Sequence, residues 1–295
     1  MVTPRRRGVL PGDERRAPSG YARARAGDTV GWGMGSAAPM LFDSGASAAV
    51  TMGAGEQVKV EIYSDIACPW CYVGKRRFER ALAAFPGAED IEVTYRPFEL
   101  DPSTPQQPAP LRERLAAKFG AAELEGMNAR LVEVGAGEGI TFDLDNALSA
   151  NTLTAHRVLW LALTEYGPAA QAALKDRLLA AYFTEGENVA DHARLTEFAV
   201  EAGLDRDRVV AFLASAEGVE EVRREIAGAR EIGVTAVPTF VFEGKWAVQG
   251  AQEASTFLQV LAQVRDQVRE QHTASSAPTA AAGDDDACAD GSCAV

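Results

Sequence analysis

A Cys-x-x-Cys placed where a strand gives way to a helix constrains this chain more than any other feature. Val58, Val60 and Ile62 alternate with Lys59, Glu61 and Tyr63, the period of a half-buried strand, and the pattern stops at Ser64-Asp65. Cys68-Pro69-Trp70-Cys71 comes next. From Trp70 to Phe85 the apolar residues Val73, Phe78, Leu82 and Phe85 keep a near-helical spacing, which Pro86-Gly87 ends. Ile91 to Tyr95 reads as a second strand. A strand, helix, strand unit of this length makes a parallel crossover, so the two thiols sit at the first turn of a βαβ unit.

The rest of the chain must complete that sheet. Pro97 to Pro110 carries prolines at 97, 102, 105, 108 and 110 and reads as an extended linker. From Leu111 to about Arg230 only helical patterns occur: Leu111 to Phe119, Ala122 to Val134, Ala147 to Glu165, Pro168 to Phe183, Asp191 to Ala202, Asp205 to Ser215 and Val219 to Ile232. Gly167-Pro168, Gly186 and Gly203 separate some of these segments. Strand character returns at Thr239 to Phe242 and Ala247 to Val248, joined by a turn at Glu243-Gly244-Lys245, and a last helix runs from Glu253 to about Gln271. Neither half has enough strands to stand alone. The expected fold is therefore α/β, with a large all-helical insertion between a βαβ half and a ββα half that share one sheet. Residues 58–102 and 217–271 form the discontinuous sheet domain and 103–216 the insertion. Residues 1–57, rich in Gly, Ala, Arg and Pro without strand or helix period, read as a disordered extension, with Met52 a candidate alternative start of translation. Residues 272–295 read as a flexible acidic tail carrying Cys288 and Cys293.

Composition narrows the function. Lys and Arg total 29 against 42 Asp and Glu, a formal charge of −13, the wrong sign for neutralising phosphates, so nucleic acid is excluded as a general partner. No apolar run approaches the roughly 18 residues that span a bilayer, and Met1 to Gly20 lacks the apolar core of a secretory signal. The expectation is a soluble, cytoplasmic protein without a membrane partner. Its four cysteines fall into two close pairs, which in a reducing compartment points to redox chemistry or metal binding before structural bridges.

At the end of a strand and the start of a helix, Cys68 meets free backbone N–H groups and the positive end of the helix dipole, which favour a thiolate. Pro69 suits the first helical turn because its missing N–H is not needed there. Cys71, one turn along, lies within disulfide reach and faces inward. Cys68 is then the exposed attacking thiolate that forms a mixed disulfide, and Cys71 the protected thiol that resolves it. Two other readings stand beside this one. Cys-x-x-Cys is also half of many zinc sites, but only His156, His192, His272 and the distant Cys288 and Cys293 remain as partners, and none makes a second ligand pair; no metal is expected. The pair could also be inert buried thiols. Pro238, in Val237-Pro238-Thr239, opens a strand, where proline is tolerated and where a cis peptide costs little.

Taken together, Cys68-Pro69-Trp70-Cys71, the helical insertion and Val237-Pro238-Thr239 resemble the DsbA family of thioredoxin-fold dithiol oxidoreductases. The likeness is greatest to its FrnE-like branch and the related 2-hydroxychromene-2-carboxylate isomerases. Phe98-Glu99-Leu100-Asp101-Pro102, Asn151-Thr152 with Ala155-His156-Arg157, Tyr182-Phe183-Thr184-Glu185-Gly186 and Gly250-Ala251-Gln252 are similar as well. The resemblance implies a cis Pro238 packed on the dithiol, Val237 offering its backbone to an extended substrate, Pro69 and Trp70 beside it, and the helices as a lid. It implies a protein-disulfide oxidoreductase or isomerase with no cofactor, acting on protein or peptide thiols and disulfides and exchanging electrons with glutathione or thioredoxin. The alternative is a glutathione-dependent isomerase or transferase of small molecules; two thiols where such relatives typically keep a serine or a single nucleophile favour the dithiol reading. The strongly oxidising members carry Pro-His between the cysteines, and this chain carries Pro69-Trp70, so a couple less oxidising than the roughly −120 mV of DsbA is expected. Some FrnE-like proteins carry a cysteine tail, which makes Cys288 and Cys293 candidates for an accessory dithiol. His156 is a candidate groove residue, otherwise a helix residue satisfied by a neighbour, and Glu99 a candidate influence on the thiols.

Overall fold

The computed structural model describes residues 57–276, with side chains as far as residue 271. Nearly all of the amino-terminal extension, and Cys288 and Cys293, lie outside the described residues. The first strand, β1 (Val58–Ser64), leads into α1 (Pro69–Ala84), and a single 3-10 turn precedes β2 (Ile91–Pro97). β1 and β2 pair in parallel from Val58 opposite Ile91 to Ser64 opposite Pro97, the crossover that the two strand patterns require.

The insertion follows as β3 (Ala109–Pro110), α2 (Leu111–Phe119), α3 (Ala121–Gly137), β4 (Leu148–Ser149), α4 (Leu153–Leu161), α5 (Pro168–Phe183), α6 (His192–Glu201) and α7 (Arg206–Leu213). The helix expected from Ala147 begins only at Leu153. Residues 148 and 149 instead pair antiparallel with Ala109 and Pro110. Thr152 is the N-cap of the helix, and the Asn151 side-chain oxygen just before it accepts the Leu153 N–H at 3.0 Å, a local bond that competes with an earlier helical start. A π-helical turn, Ala162–Tyr166, links α4 to α5.

The chain returns to the sheet through α8 (Val219–Glu231), β5 (Thr239–Phe242) and β6 (Trp246–Gln249), and ends the described region in α9 (Ala254–Ser276). That last helix continues past Gln271 into the stretch expected to be tail, because no Gly or Pro interrupts it before Pro278. The four strands lie in the order β2-β1-β5-β6, with β5 antiparallel to both β1 and β6. Both halves of the chain thus contribute to one sheet.

The two-residue period sorts the sheet's side chains. Val58, Val60, Ile62, Phe240 and Phe242 face α1 and α9, where Phe78 and Phe257 join them in one aromatic cluster; the Phe240 and Phe257 rings lie 4.5 Å apart. Tyr63 and Val241 face the opposite way, against Phe98, Ala229 of α8 and Val234. A second core, built on α4, α5, α6 and α7, reaches the start of α1 at Tyr72 and Val73. Strand β2 is an outer strand of this sheet, and α5 covers it. The Gln171 amide accepts from the Tyr95 N–H at 2.8 Å and donates to the Tyr95 carbonyl at 2.9 Å, satisfying both groups. Among the described residues, no helix is long and apolar enough to cross a membrane.

Candidate active site

The antiparallel pairing of β1 with β5 decides what lies beside the cysteines. Tyr63, near the end of β1, stands opposite Thr239 at the start of β5. The residues just after β1 and those just before β5 are thereby brought to the same end of the sheet. Cys68 is the N-cap of α1, with φ −101° and ψ 110°, and Pro69 opens the helix. Across from it the Val237-Pro238 peptide is cis. The Cys68 thiol donates to the Val237 carbonyl at 3.5 Å. Among the described residues the Val237 N–H has no hydrogen-bond partner, and the Pro238 carbonyl accepts from Gly250 at 2.8 Å. Glycine at 74 allows α1 to pack here: a Cβ added to it would stand 2.9 Å from the Pro238 ring.

Both cysteines are free thiols, and both are buried, Cys68 at 4% and Cys71 at 2% exposure. This corrects the expectation of an exposed Cys68, because the thiol is tucked under the Val237 carbonyl. Pro69, Trp70 and Val237 are partly exposed around it, while Pro238 is buried. The charge on the pair also differs from the sequence expectation. The Cys68 thiol is pushed well up by its hydrogen bond to Cys71, by burial, by the charge of Cys71 and, least, by that of Asp65, against which the Cys71 N–H at the helix start works too weakly. Cys71 moves down in spite of burial, because the Cys68 thiol, the Lys175 charge and the Ser64 hydroxyl favour its anion. The pair parts with one proton readily and holds the other.

Beneath the dithiol lies a buried polar cluster that joins the sheet to the insertion. Asp65 accepts from the Leu100 N–H at 2.8 Å and from the Ala67 N–H at 3.3 Å, and its carboxylate meets His156 Nε2 at 3.3 Å. Burial alone would raise the Asp65 carboxyl; the bond with His156, the Leu100 N–H and the charge of Lys175 together hold it below its ordinary value. Glu99 is raised by burial and by the Asp65 charge, and Asn151 donates to it at 3.3 Å. His156 is thus a helix residue satisfied by a neighbour, and that neighbour is three residues before Cys68.

Lys175 is the member that sequence reasoning missed. It is 1% exposed on α5, and its ammonium has no hydrogen-bond partner among the described residues. Its signal was in the pattern: Gln171, Lys175, Leu178 and Tyr182 share one helical face and all are buried, so two polar residues lie on an apolar stripe. Asp65 was read only as the residue that stops β1. Among the described residues, no group of three or more His, Cys, Asp or Glu side chains could hold a metal ion.

The DsbA-like thioredoxin domain family matches this chain over residues 59–262, from the second residue of β1 into α9. The chain belongs to that family. A probable DsbA oxidoreductase of Streptomyces coelicolor, known from its crystal structure, is 40% identical, with a TM-score of 0.67 over 72% of this chain and 91% of its own. An uncharacterized protein of Bacillus subtilis, YwbO, is 29% identical over 68% of this chain and 94% of its own. The structure of a 2-hydroxychromene-2-carboxylate isomerase shares the fold at 17% identity and a TM-score of 0.50, over 74% of this chain and all of its own. The DsbA-like domain is a thioredoxin-like sheet with a helical insertion, and here the insertion supplies His156 and Lys175 to the ground beneath the thiols.

Proposed function

We propose that this DsbA-family chain is a dithiol oxidoreductase acting on protein or peptide disulfides through Cys68 and Cys71. The observation that carries this reading is the contact between the Cys68 thiol and the carbonyl of Val237, next to the cis Pro238. It sets the helix-start thiol against backbone whose N–H is unused. An extended substrate segment adds to that backbone as a short strand, and the partly exposed Pro69, Trp70 and Val237 flank it. Cys68 passes its proton to the Cys71 thiolate it is hydrogen-bonded to and attacks the substrate disulfide: its sulfur bonds to one substrate sulfur, the substrate S–S bond breaks, and the electron pair leaves on the other sulfur, which is protonated by water. Cys71 then gives up that proton to solvent and attacks Cys68, the mixed disulfide breaks, and the second substrate sulfur departs and is protonated. The substrate has gained two electrons and the enzyme holds a Cys68–Cys71 disulfide, which two molecules of glutathione, or one thioredoxin dithiol, reduce. In a reducing compartment this direction is reduction or reshuffling of disulfides, in keeping with Pro69-Trp70 between the cysteines.

The test is a redox titration against glutathione, with insulin reduction as the turnover assay, on the intact chain, Cys68→Ser and Cys71→Ser. A reversible two-electron couple, turnover lost in Cys68→Ser, and a mixed disulfide that accumulates in Cys71→Ser are expected. A chain with no reversible couple and no turnover overturns the reading in favour of small-molecule chemistry.

A further inference from the structure

The dithiol reading accounts for Cys68, Cys71 and the Val237 backbone, and leaves the surface beyond Val237 without a use. Few large apolar side chains are exposed among the described residues, and two of them, Leu100 at 48% and Ile232 at 63%, stand on segments that converge beside Val237. Fixed backbone holds both out. The Leu100 N–H is bonded at 2.8 Å to Asp65, three residues before Cys68. Ile232 is the C-cap of α8; Gly233, at φ 88°, turns the chain, and the Val234 N–H returns to the Ala229 carbonyl at 2.9 Å. The side chain that folds back onto the helix end is therefore Val234, packed with Ala229, and Ile232 is left to solvent. Arg230 ties the two segments together: its guanidinium reaches the Glu99 carbonyl at 3.5 Å and lies over the Phe98 ring at 5.7 Å. Phe98, Ala229 and Val234 form the small core that Val237 abuts, so apolar surface continues from Val237 to Leu100 and Ile232. Arg230 adds a charge to it. Arg223 and Arg224 of the same helix pair with Glu220 and Glu221, whereas the exposed Arg230 has no carboxylate partner among the described residues, and its charge is the last of the influences on the Glu99 carboxyl. In a chain of net charge −13, a free cation beside the site draws acidic groups that most of the surface repels.

Resting on the dithiol reading, we propose that Leu100, Ile232 and Arg230 form a side-chain subsite that selects disulfides whose reactive cysteine has, within about four residues on one side, an apolar residue and then an acidic one. Strand addition at Val237 holds any extended segment alike, because it uses backbone that all segments share, and the choice among segments falls to side chains. In an extended segment rising about 3.3 Å per residue, the cysteine and the second and fourth residues beyond it share one face. The apolar residue covers Leu100 and Ile232, and the acidic one reaches the Arg230 guanidinium. None of the three touches a reacting sulfur. They act on how the substrate is held, so their mark falls on formation of the mixed disulfide and leaves its resolution by Cys71 alone.

The experiment measures how fast the reduced full chain forms a mixed disulfide with synthetic peptide disulfides, relative to its rate with hydroxyethyl disulfide, which has no flanking residues. The peptides carry Leu or Ser two residues from the cysteine and Glu, Gln or Lys four residues from it, on either side. The wild type should prefer Leu to Ser by about five- to tenfold and Glu to Lys by about two- to tenfold, on one side of the cysteine only. The preference for Glu should vanish in Arg230→Gln, reverse in Arg230→Glu and fade in about 1 M salt. The preference for Leu should survive the salt and fall in Leu100→Ser and Ile232→Ser. Val210→Ser on α7 and Arg224→Gln on α8, both exposed, are surface controls that should move neither preference. A general loosening of the fold does not reverse a charge preference. Peptides that all react alike, or a preference for Glu that persists in Arg230→Glu, overturn the subsite while leaving the dithiol intact. A wild type that forms no mixed disulfide with any peptide or with hydroxyethyl disulfide overturns the dithiol reading instead.

Discussion

Replacing Gly74 with alanine tests whether the seating of α1 against Pro238 limits this site. A Cβ at position 74 would stand 2.9 Å from the Pro238 ring and 3.5 Å from Ala251. Restoring ordinary contact moves the ring by about half an ångström, and the ring is not free to move: Pro238 is buried and its carbonyl is bonded to Gly250 at 2.8 Å. Two terms oppose each other. Alanine in a helix interior is worth about 1 kcal/mol over glycine, while overpacking a filled contact costs roughly 1–3 kcal/mol. Gly126 of α3 isolates the first term, since nothing lies within 4 Å of its added Cβ. Gly126→Ala should therefore gain about 1 kcal/mol and Gly74→Ala should fall below it by roughly 1–3 kcal/mol, read as midpoints of urea unfolding at unchanged slope. Because Val237 precedes Pro238, Gly74→Ala should also slow formation of the mixed disulfide at Cys68, and Gly126→Ala should not. A Gly74→Ala chain that gains as much stability as Gly126→Ala and reacts at the wild-type rate would refute the reasoning.

Other perturbations have equally definite signs. The Asp65 carboxyl is lowered in the folded chain, so it contributes stability that is present above the ordinary carboxylate pKa and lost as pH falls through the folded value. Urea unfolding from neutral pH to pH about 3 should show Asp65→Asn losing less stability on acidification than the wild type. The Lys175 ammonium is lowered from 10.5 to about 8, so the unfolded chain binds its proton more tightly and stability rises with pH across that window. Lys175→Met should accordingly be more stable at neutral pH by up to about 3 kcal/mol, with the advantage gone above pH 10 or so; a destabilised Lys175→Met at neutral pH contradicts this. Gln171→Leu leaves the Tyr95 N–H and carbonyl buried under α5 without their partner, and should cost roughly 2–4 kcal/mol in the same unfolding measurement.

The elements that repeat a period were legible along the chain. The alternation of β1, the apolar spacing of α1 and the return of strand character at Thr239 sufficed for two halves of one sheet with helices between them. Where local bonds overrode the period, as at Asn151, the helix began later than its apolar residues suggested. At α9 the absence of a breaker carried the helix further than composition implied. Of the site, Cys68, Cys71 and Val237-Pro238 were visible, because a strand-to-helix turn and a strand-opening proline are local chemical facts.

What the sequence alone determined is thus the set of parts: two thiols at a helix start, a proline at a strand start, and a long helical insertion. It also held the oddity of Gln171 and Lys175 on an apolar stripe without saying what they face. Only the tertiary structure decided the partners. The antiparallel register of β5 on β1 brings Val237 to Cys68 over a separation of 169 residues, and the packing of the insertion sets His156 on Asp65 and buries the Lys175 ammonium without a hydrogen-bond partner among the described residues. The reason is physical: a periodic pattern specifies which face is buried, but the charge a buried group carries depends on its neighbours, and those come from elements far away in the chain.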